Sequence, residues 1–333
     1  MGKNILVTGG LGYIGSHTVG ELIAHGYTPI IIDNLSNSYL SVLEGIEKIC
    51  GVTPIFYDTD VNDSLALDAI FKSHAIDSVI HFAAFKAVGE SVQEPLKYYK
   101  NNIGGLITLL ETMEANQVKN IVFSSSCTVY GEPDHTPVDE NTPLKPATSP
   151  YGNTKQVGEQ ILNDNRFTNT IALRYFNPIG AHHTAFLGEL PIGVPHNLVP
   201  FITQTAAGLR EKITVYGNTY NTPDGTCIRD YIHVVDLAKA HVKAIDYMAQ
   251  NPNNHFDVFN LGTGNGNSVL EVIKCFESVN NLKLNYTIGA IRQGDVEQVY
   301  ANSSKANNIL GWKAELNLDV MLYSAWKWQL TLN

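Results

Sequence analysis

Tyr151 and Lys155 stand four residues apart, with Gly152-Asn153-Thr154 between them. On a helix this spacing puts both side chains on one face, about one turn apart. A phenol beside an ammonium group is a proton-transfer device, because the cation favours the phenolate and the phenolate can then act as a base. A second constellation lies near the N-terminus, where Gly9, Gly12 and Gly15 form G-x-x-G-x-x-G directly after the apolar run Ile5-Leu6-Val7. Glycines there let backbone approach a pyrophosphate, and the free amides of the helix that follows carry partial positive charge. Together the two motifs describe redox chemistry with a bound nicotinamide dinucleotide. Taken singly, each also has a plain structural reading, as a tight turn and as a solvated helix face.

Other residues extend the expected cofactor site. Asp33 ends the second apolar run, eighteen residues after Gly15. A carboxylate there accepts hydrogen bonds from the adenosine ribose and repels a 2′-phosphate, so NAD is expected over NADP. Tyr13 and Ile14 belong to the glycine turn, Asn34 follows Asp33, and Asp60-Val61 can reach the adenine edge. Phe82, Ala83, Asn101 and Ser124 complete the expected cofactor set.

The elements that must position these residues are legible as an alternation. Strand-like runs at 4–8, 27–33, 54–57, 78–82, 120–124 and 171–174 enclose helical patterns that include 13–25, 64–73 and 98–116. Such alternation implies an α/β fold, a doubly wound parallel sheet of Rossmann type whose ligands sit beyond the carboxyl ends of the strands. After Asn177-Pro178 the regularity fades. A smaller α+β lobe follows, with helices at 199–209, 234–248 and 268–279, strands at 213–216, 258–261 and 284–288, and a closing helix ending at 331. The expected division is residues 1–177 for the dinucleotide and 178–333 for the substrate, with the segment around 230–262 free to return to the first unit.

Composition narrows the function class. The chain has 333 residues, 44% of them hydrophobic, enough for a sizeable core. A formal net charge of −10 argues against nucleic acid or anionic membrane as partners, so an anionic ligand must be held locally. No signal-like start and no run of about eighteen apolar residues is present, and a cytoplasmic location is expected. Cys50, Cys127, Cys227 and Cys275 show no paired spacing, and the eleven histidines show no ligand motif, so no metal is expected.

With these residues in view, the chain resembles the extended short-chain dehydrogenases/reductases and, among them, the UDP-glucose 4-epimerase family. The resemblance rests on Lys86-Ala87-Val88-Gly89-Glu90-Ser91, Phe123 to Gly131, Arg174-Tyr175-Phe176-Asn177-Pro178-Ile179-Gly180-Ala181-His182, Arg229 to Asp236 and Asn260-Leu261-Gly262-Thr263-Gly264. It implies a UDP-sugar substrate, a tightly held NAD, oxidation at C4, rotation of the 4-keto sugar and return of the hydride to its other face. It assigns Tyr151 as base, Lys155 to the nicotinamide ribose and Ser126 to the C4 oxygen, with Thr128 the other hydroxyl in reach. It places Lys86 near the pyrophosphate, Phe176 near the nicotinamide, and Asn177, Asn197, Tyr216, Arg229, Arg292 and Asp295 around the uridine diphosphate. The position that carries a large Tyr in some epimerases falls on Val299, or on Tyr300 if the register slips by one. Valine leaves space beside C2, which opens UDP-GlcNAc and UDP-GalNAc as substrates beside UDP-Glc and UDP-Gal. Homodimerisation through 98–116 and 149–165 is also implied. The rival readings are a nucleotide-sugar 4,6-dehydratase and a non-catalytic NAD sensor. Dehydratases carry an Asp-Glu pair where this chain has Cys127-Thr128, and a sensor would not need Tyr151 and Lys155.

Overall fold

The computed structural model describes residues 2–291 and 295–332. Arg292, expected at the diphosphate, lies outside the described residues.

Seven strands form one all-parallel sheet: β1 (Asn4–Thr8), β2 (Thr28–Asp33), β3 (Ile55–Asp58), β4 (Ile76–His81), β5 (Asn120–Ser126), β6 (Asn169–Tyr175) and β10 (Phe256–Leu261), in the order β10-β6-β5-β4-β1-β2-β3. Their central residues are continuous apolar runs, such as Ile5-Leu6-Val7 and Ile30-Ile31-Ile32, because both faces are covered. On one face lie α1 (Tyr13–Ala24), α2 (Val42–Cys50) and α9 (Val234–Gln250), sharing a core with Val7, Leu22, Ile31, Ile46 and Leu237. On the other lie α3 (Ser64–Ser73), α6 (Gly104–Ala115) and α7 (Pro150–Asp164), around Leu6, Leu67, Leu109 and Leu162. Strand order reverses between β1 and β4, and the crevice at their carboxyl ends holds Gly9 and Ala83 side by side.

The short helices α4 (Val88–Gln93) and α5 (Pro95–Tyr98) precede a π-helical turn at Tyr99–Ile103, which interrupts the helix expected over 98–116. The cause is Asn102. Its side chain is drawn inward to bond Phe85 N, Phe85 O and Thr154 Oγ1, and a π turn accommodates that insertion.

The remaining elements build the smaller lobe. The strands β7 (Asn177–Ile179), β9 (Ile228–His233), β11 (Gly266–Ser268) and β13 (Gln298–Val299) form one sheet, and β8 (Ile213–Tyr216) pairs with β12 (Tyr286–Gly289). A core around Ile179, Ile202, Tyr231, Phe276 and Met321 joins them to α8 (Leu198–Ala206), α10 (Val269–Asn280) and α11 (Leu318–Gln329). The strand expected at 258–261 closes the large sheet, with Phe256 opposite Thr170 and Leu261 opposite Tyr175, the return to the first unit left open for the segment around 230–262. The chain therefore crosses back to the first layer through α9 and β10 before finishing the second. No helix among the described residues is long and apolar enough to cross a membrane.

Candidate functional site

The glycine turn is shaped by close approach. Gly9 has φ +67°, and a Cβ there would stand 2.8 Å from Ala83 N. A Cβ on Gly15 would stand 2.3 Å from Gly9 O. Both clashes are with backbone, so only glycine lets β1, β4 and the start of α1 meet. Gly12 caps α1 without a side-chain bond and no acidic residue occupies the first turn, so the first amides of α1 point outward uncompensated. Tyr13 follows, its hydroxyl donating to Gly180 O at 2.6 Å, which ties the turn to the smaller lobe. Ile14 packs into the α1-side core and Val61 into the opposite one. Asp33 closes the far side. Its carboxylate accepts from Leu11 N at 3.0 Å, Leu35 N at 3.0 Å and Ser38 Oγ at 2.8 Å, which fixes it at the end of β2. Asn34 donates to Asp60 at 2.8 Å. Burial pushes the Asp60 carboxyl up, but bonds from Asn62 and Asn34 outweigh it and hold Asp60 below its ordinary range. Asn101, in the π turn, donates to Asn102. Phe82 packs on the His241 ring at 4.8 Å between centroids. A backbone cradle, a helix N-terminus free of acidic residues and a fixed carboxylate at the end of β2 fit a dinucleotide of NAD type.

The proton-transfer pair sits next to this cradle. Ser149 caps α7, its Oγ accepting from Gly152 N at 3.1 Å, and Pro150 supplies the first-turn φ, so Tyr151 lies in the first turn. Gly158 lets the helix press onto β5, since a Cβ there would stand 2.8 Å from the Phe123 ring. That contact brings α7 level with Ser124, Ser125 and Ser126 at the end of β5. Lys155 Nζ donates to Ser124 O at 2.6 Å and lies 5.9 Å from the Tyr151 ring centroid. Burial pushes the Tyr151 phenol up to about 12, against a hydrogen bond with Ser126 that pulls it down. Burial also lowers Lys155 to about 8, opposed by Glu159. Desolvation is the largest effect on both groups, raising the Tyr151 phenol and lowering the Lys155 ammonium. Ser126 Oγ also accepts from Thr128 N at 3.2 Å, and Thr128 Oγ1 is buried without a hydrogen-bond partner. Two hydroxyls and a phenol thus converge, and one hydroxyl is unused by the protein. Cys127 beside them is a poor acid-base group, since burial pushes its thiol up to about 11.

The smaller lobe supplies the opposite wall. Phe176 and Val299 are buried together in a cluster with Val129 and Tyr130, while Tyr300, just after β13, lies against Gly266. The place beside Phe176 is thus taken by Val299 and not by Tyr300. Arg229 pairs in register with Val299, and its charge pulls down the thiol of Cys127. Its Nη1 donates to Ile228 O at 2.8 Å. Asp230, one alternative partner for Arg229, instead accepts from Thr263, Gly264 and Ala301. Asn177 stands opposite Tyr231 at the start of β7, and half-exposed Tyr216 ends β8. Lys86 and Asn197 both reach Glu189 Oε1, at 3.3 and 2.8 Å. Lys86 was expected on a pyrophosphate; a carboxylate from the smaller lobe gives it a protein partner as well. Asp295 lines a surface cavity of about 340 Å³ with Tyr220 and Glu132, from which Tyr151, Lys155 and Ser126 are absent. That cavity is not the reaction centre.

Sequence reasoning missed Glu189, Asn102 and Glu159, which stand in no motif, and gave Arg174 no role beyond its place in the run Arg174 to His182; only the pairing of distant segments reveals what they do. Among the described residues no group of three or more His, Cys, Asp or Glu could hold a metal ion.

Known proteins with the same layout carry the site to a family. The family model described as GDP-mannose 4,6 dehydratase matches residues 6–324. A UDP-glucose 4-epimerase of Dictyostelium discoideum is 51% identical over 329 residues, covering 98% of this chain and 95% of the relative. The crystal structure of a UDP-glucose 4-epimerase from Bifidobacterium longum in complex with NAD+ and UDP superimposes with a TM-score of 0.96 at 47% identity, covering 99% of this chain and 98% of that one. Another, from Stenotrophomonas maltophila with bound NAD and formylated UDP-arabinopyranose, gives a TM-score of 0.96 at 46% identity with the same coverage. The chain belongs to the family described as GDP-mannose 4,6 dehydratase and, within it, to the UDP-glucose 4-epimerases of the extended short-chain dehydrogenases/reductases.

Proposed function

We infer that this protein interconverts UDP-glucose and UDP-galactose by inversion at C4, with NAD as its cofactor. The observation that carries the reading is the convergence of Tyr151, Ser126 and the unpartnered Thr128 hydroxyl beside a glycine cradle. When bound, NAD supplies the acceptor and donor for the C4 hydrogen. Side chains do the rest. Tyr151 takes the C4 hydroxyl proton at its phenolic oxygen and returns it to the epimeric alcohol, and Ser126 shares that proton through its own hydroxyl. Lys155 contributes the positive charge that makes a buried phenolate affordable to the site, and Arg229 and Asn177 hold the nucleotide so that the 4-keto sugar turns about its diphosphate linkage. Residues 1–177 bind the dinucleotide and 178–333 the UDP-sugar, with α9 and β10 returned to the first unit. Incubation with UDP-Gal followed by NMR tests the reaction. UDP-Glc is the expected product; a 4-keto-6-deoxy sugar or an inert protein would contradict it.

N-acetylated substrates are the finer part of the reading. Val299 is buried beside Phe176, where a small side chain leaves room for a C2 substituent. Val299→Tyr is expected to lower kcat/KM for UDP-GalNAc relative to UDP-Gal by about tenfold or more, the scale on which a filled apolar pocket discriminates. An unchanged ratio refutes it. We also read the protein as a cytoplasmic homodimer joined through α6 and α7, with half-exposed Ile107 on the joining face; a monomer in sedimentation equilibrium would contradict the second part.

A further inference from the structure

We propose that Glu159, clamped by Arg174, is a positioning residue for Lys155: its carboxylate, one turn along α7, steadies the ammonium of the proton-transfer pair. The sequence Tyr151, Lys155, Glu159 repeats every fourth residue, so all three line one helix face. Three consecutive residues of β5 engage them in turn. Ser126 bonds Tyr151, Ser124 O accepts from Lys155, and Ser125 Oγ donates to Glu159 Oε1. Glu159 is itself held rigidly. Arg174 Nε reaches Oε1 at 2.9 Å and Nη2 reaches Oε2 at 2.6 Å, a bidentate pair with both side chains about 95% buried. Arg174 Nη1 continues to Tyr130 Oη at 2.9 Å, and Tyr130 donates to Asn260 Oδ1 at 2.7 Å. A buried ion pair is weak evidence for stability, because desolvation offsets its attraction. Its placement is what matters here.

The charged and titratable groups facing Lys155 are few. On its own helix they are Tyr151 and Glu159. From β4 comes His81, which burial and then Lys155 itself push down to about 3, so it stays neutral. From β6 come Tyr175, held as a neutral phenol by burial, and Arg174 beyond the carboxylate. Glu159 is thus the only anion set against the desolvation of Lys155 among these groups, and it opposes the fall of the Lys155 pKa. Arg174 keeps that anion in place and moderates it.

The proposal rests on the reading of Tyr151 and Lys155 as the reacting pair. Its test uses the NAD-loaded protein with lysine labelled at the ε-carbon. The Lys155 signal is assigned by its loss in Lys155→Met and titrated by NMR, alongside the kcat–pH profile. Glu159→Gln is expected to move the Lys155 midpoint down by about one pH unit or more, and the alkaline limb of kcat down with it. Arg174→Met leaves the carboxylate uncompensated and moves both up. A merely structural ion pair would lower Tm in both variants and leave the midpoint where it was, which overturns the proposal. Should either single variant fail to fold, Glu159→Gln combined with Arg174→Gln leaves no charge unpaired and carries the same expected downward shift; an unmoved midpoint there overturns the proposal too. A midpoint that moves while the kcat profile stays fixed supports the role of Glu159 and instead refutes Tyr151 and Lys155 as the reacting pair.

Discussion

Tyr151→Phe is expected to lower kcat on UDP-Gal by at least about a hundredfold, the scale of one lost general base, while NAD stays bound. The substitution removes one oxygen and little else. Phenylalanine keeps the buried ring, Lys155 still has Ser124 O as its acceptor, and Ser126 still caps Thr128 N. The cradle at Gly9 and Gly15 is untouched, so the dinucleotide content of the purified variant should match wild type. What is lost is the phenol that bonds Ser126 and has the Lys155 ammonium 5.9 Å from its ring centroid. Burial holds the phenol near 12 and lowers the ammonium to about 8, so desolvation opposes the reactive form, the one with the proton on Lys155 and not on Tyr151. Steady-state rates and the cofactor released on denaturation check both halves of the expectation. Activity within a few-fold of wild type would remove Tyr151 from the chemistry.

The first half of the fold was readable because its signals are local. Apolar runs such as Ile30-Ile31-Ile32 are strands buried on both faces, and β1 and α3 fall where the sequence puts them, at Asn4–Thr8 and Ser64–Ser73. The second half was harder, since its short strands are specified by partners and not by pattern. β9 reads Ile228-Arg229-Asp230-Tyr231-Ile232-His233, half of it polar, and becomes a strand because β7, β11 and β13 pair with it. β10 falls in a segment that the sequence left free to join either unit, and its place in the large sheet is set by register against β6, which no local propensity encodes. The site divides in the same way. Glycines and the Tyr-x-x-x-Lys spacing announce themselves, since their chemistry constrains spacing. Desolvation does not: burial raises the Tyr151 phenol, and no spacing along the chain encodes that. Glu189 matters through a segment far along the chain, 103 residues from Lys86, and so left no mark in any short window.

Gly15→Ala is expected to weaken NAD binding by about a hundredfold, the penalty that a misplacement of roughly 1 Å inflicts on a positioned site. The added methyl would stand 2.3 Å from Gly9 O, 2.9 Å from Gly10 Cα and 3.1 Å from Gly9 C. All three are backbone atoms of the turn itself, so no side chain can rotate away. Relief requires α1 to lift from β1, and that carries the outward amides of the first turn away from the pyrophosphate. Gly20 on the same helix is the control. A Cβ there meets only Cys50 Sγ at 3.8 Å, an ordinary contact, so Gly20→Ala is expected to raise stability by about 0.5–1 kcal/mol through helix propensity and to keep full NAD affinity. Dinucleotide content after purification, Kd by titration of the emptied protein and thermal melts of both variants separate the two. If Gly15→Ala bound NAD as tightly as Gly20→Ala, the turn would be an ordinary tight turn, and the cofactor would have to be held somewhere other than the crevice between β1 and β4.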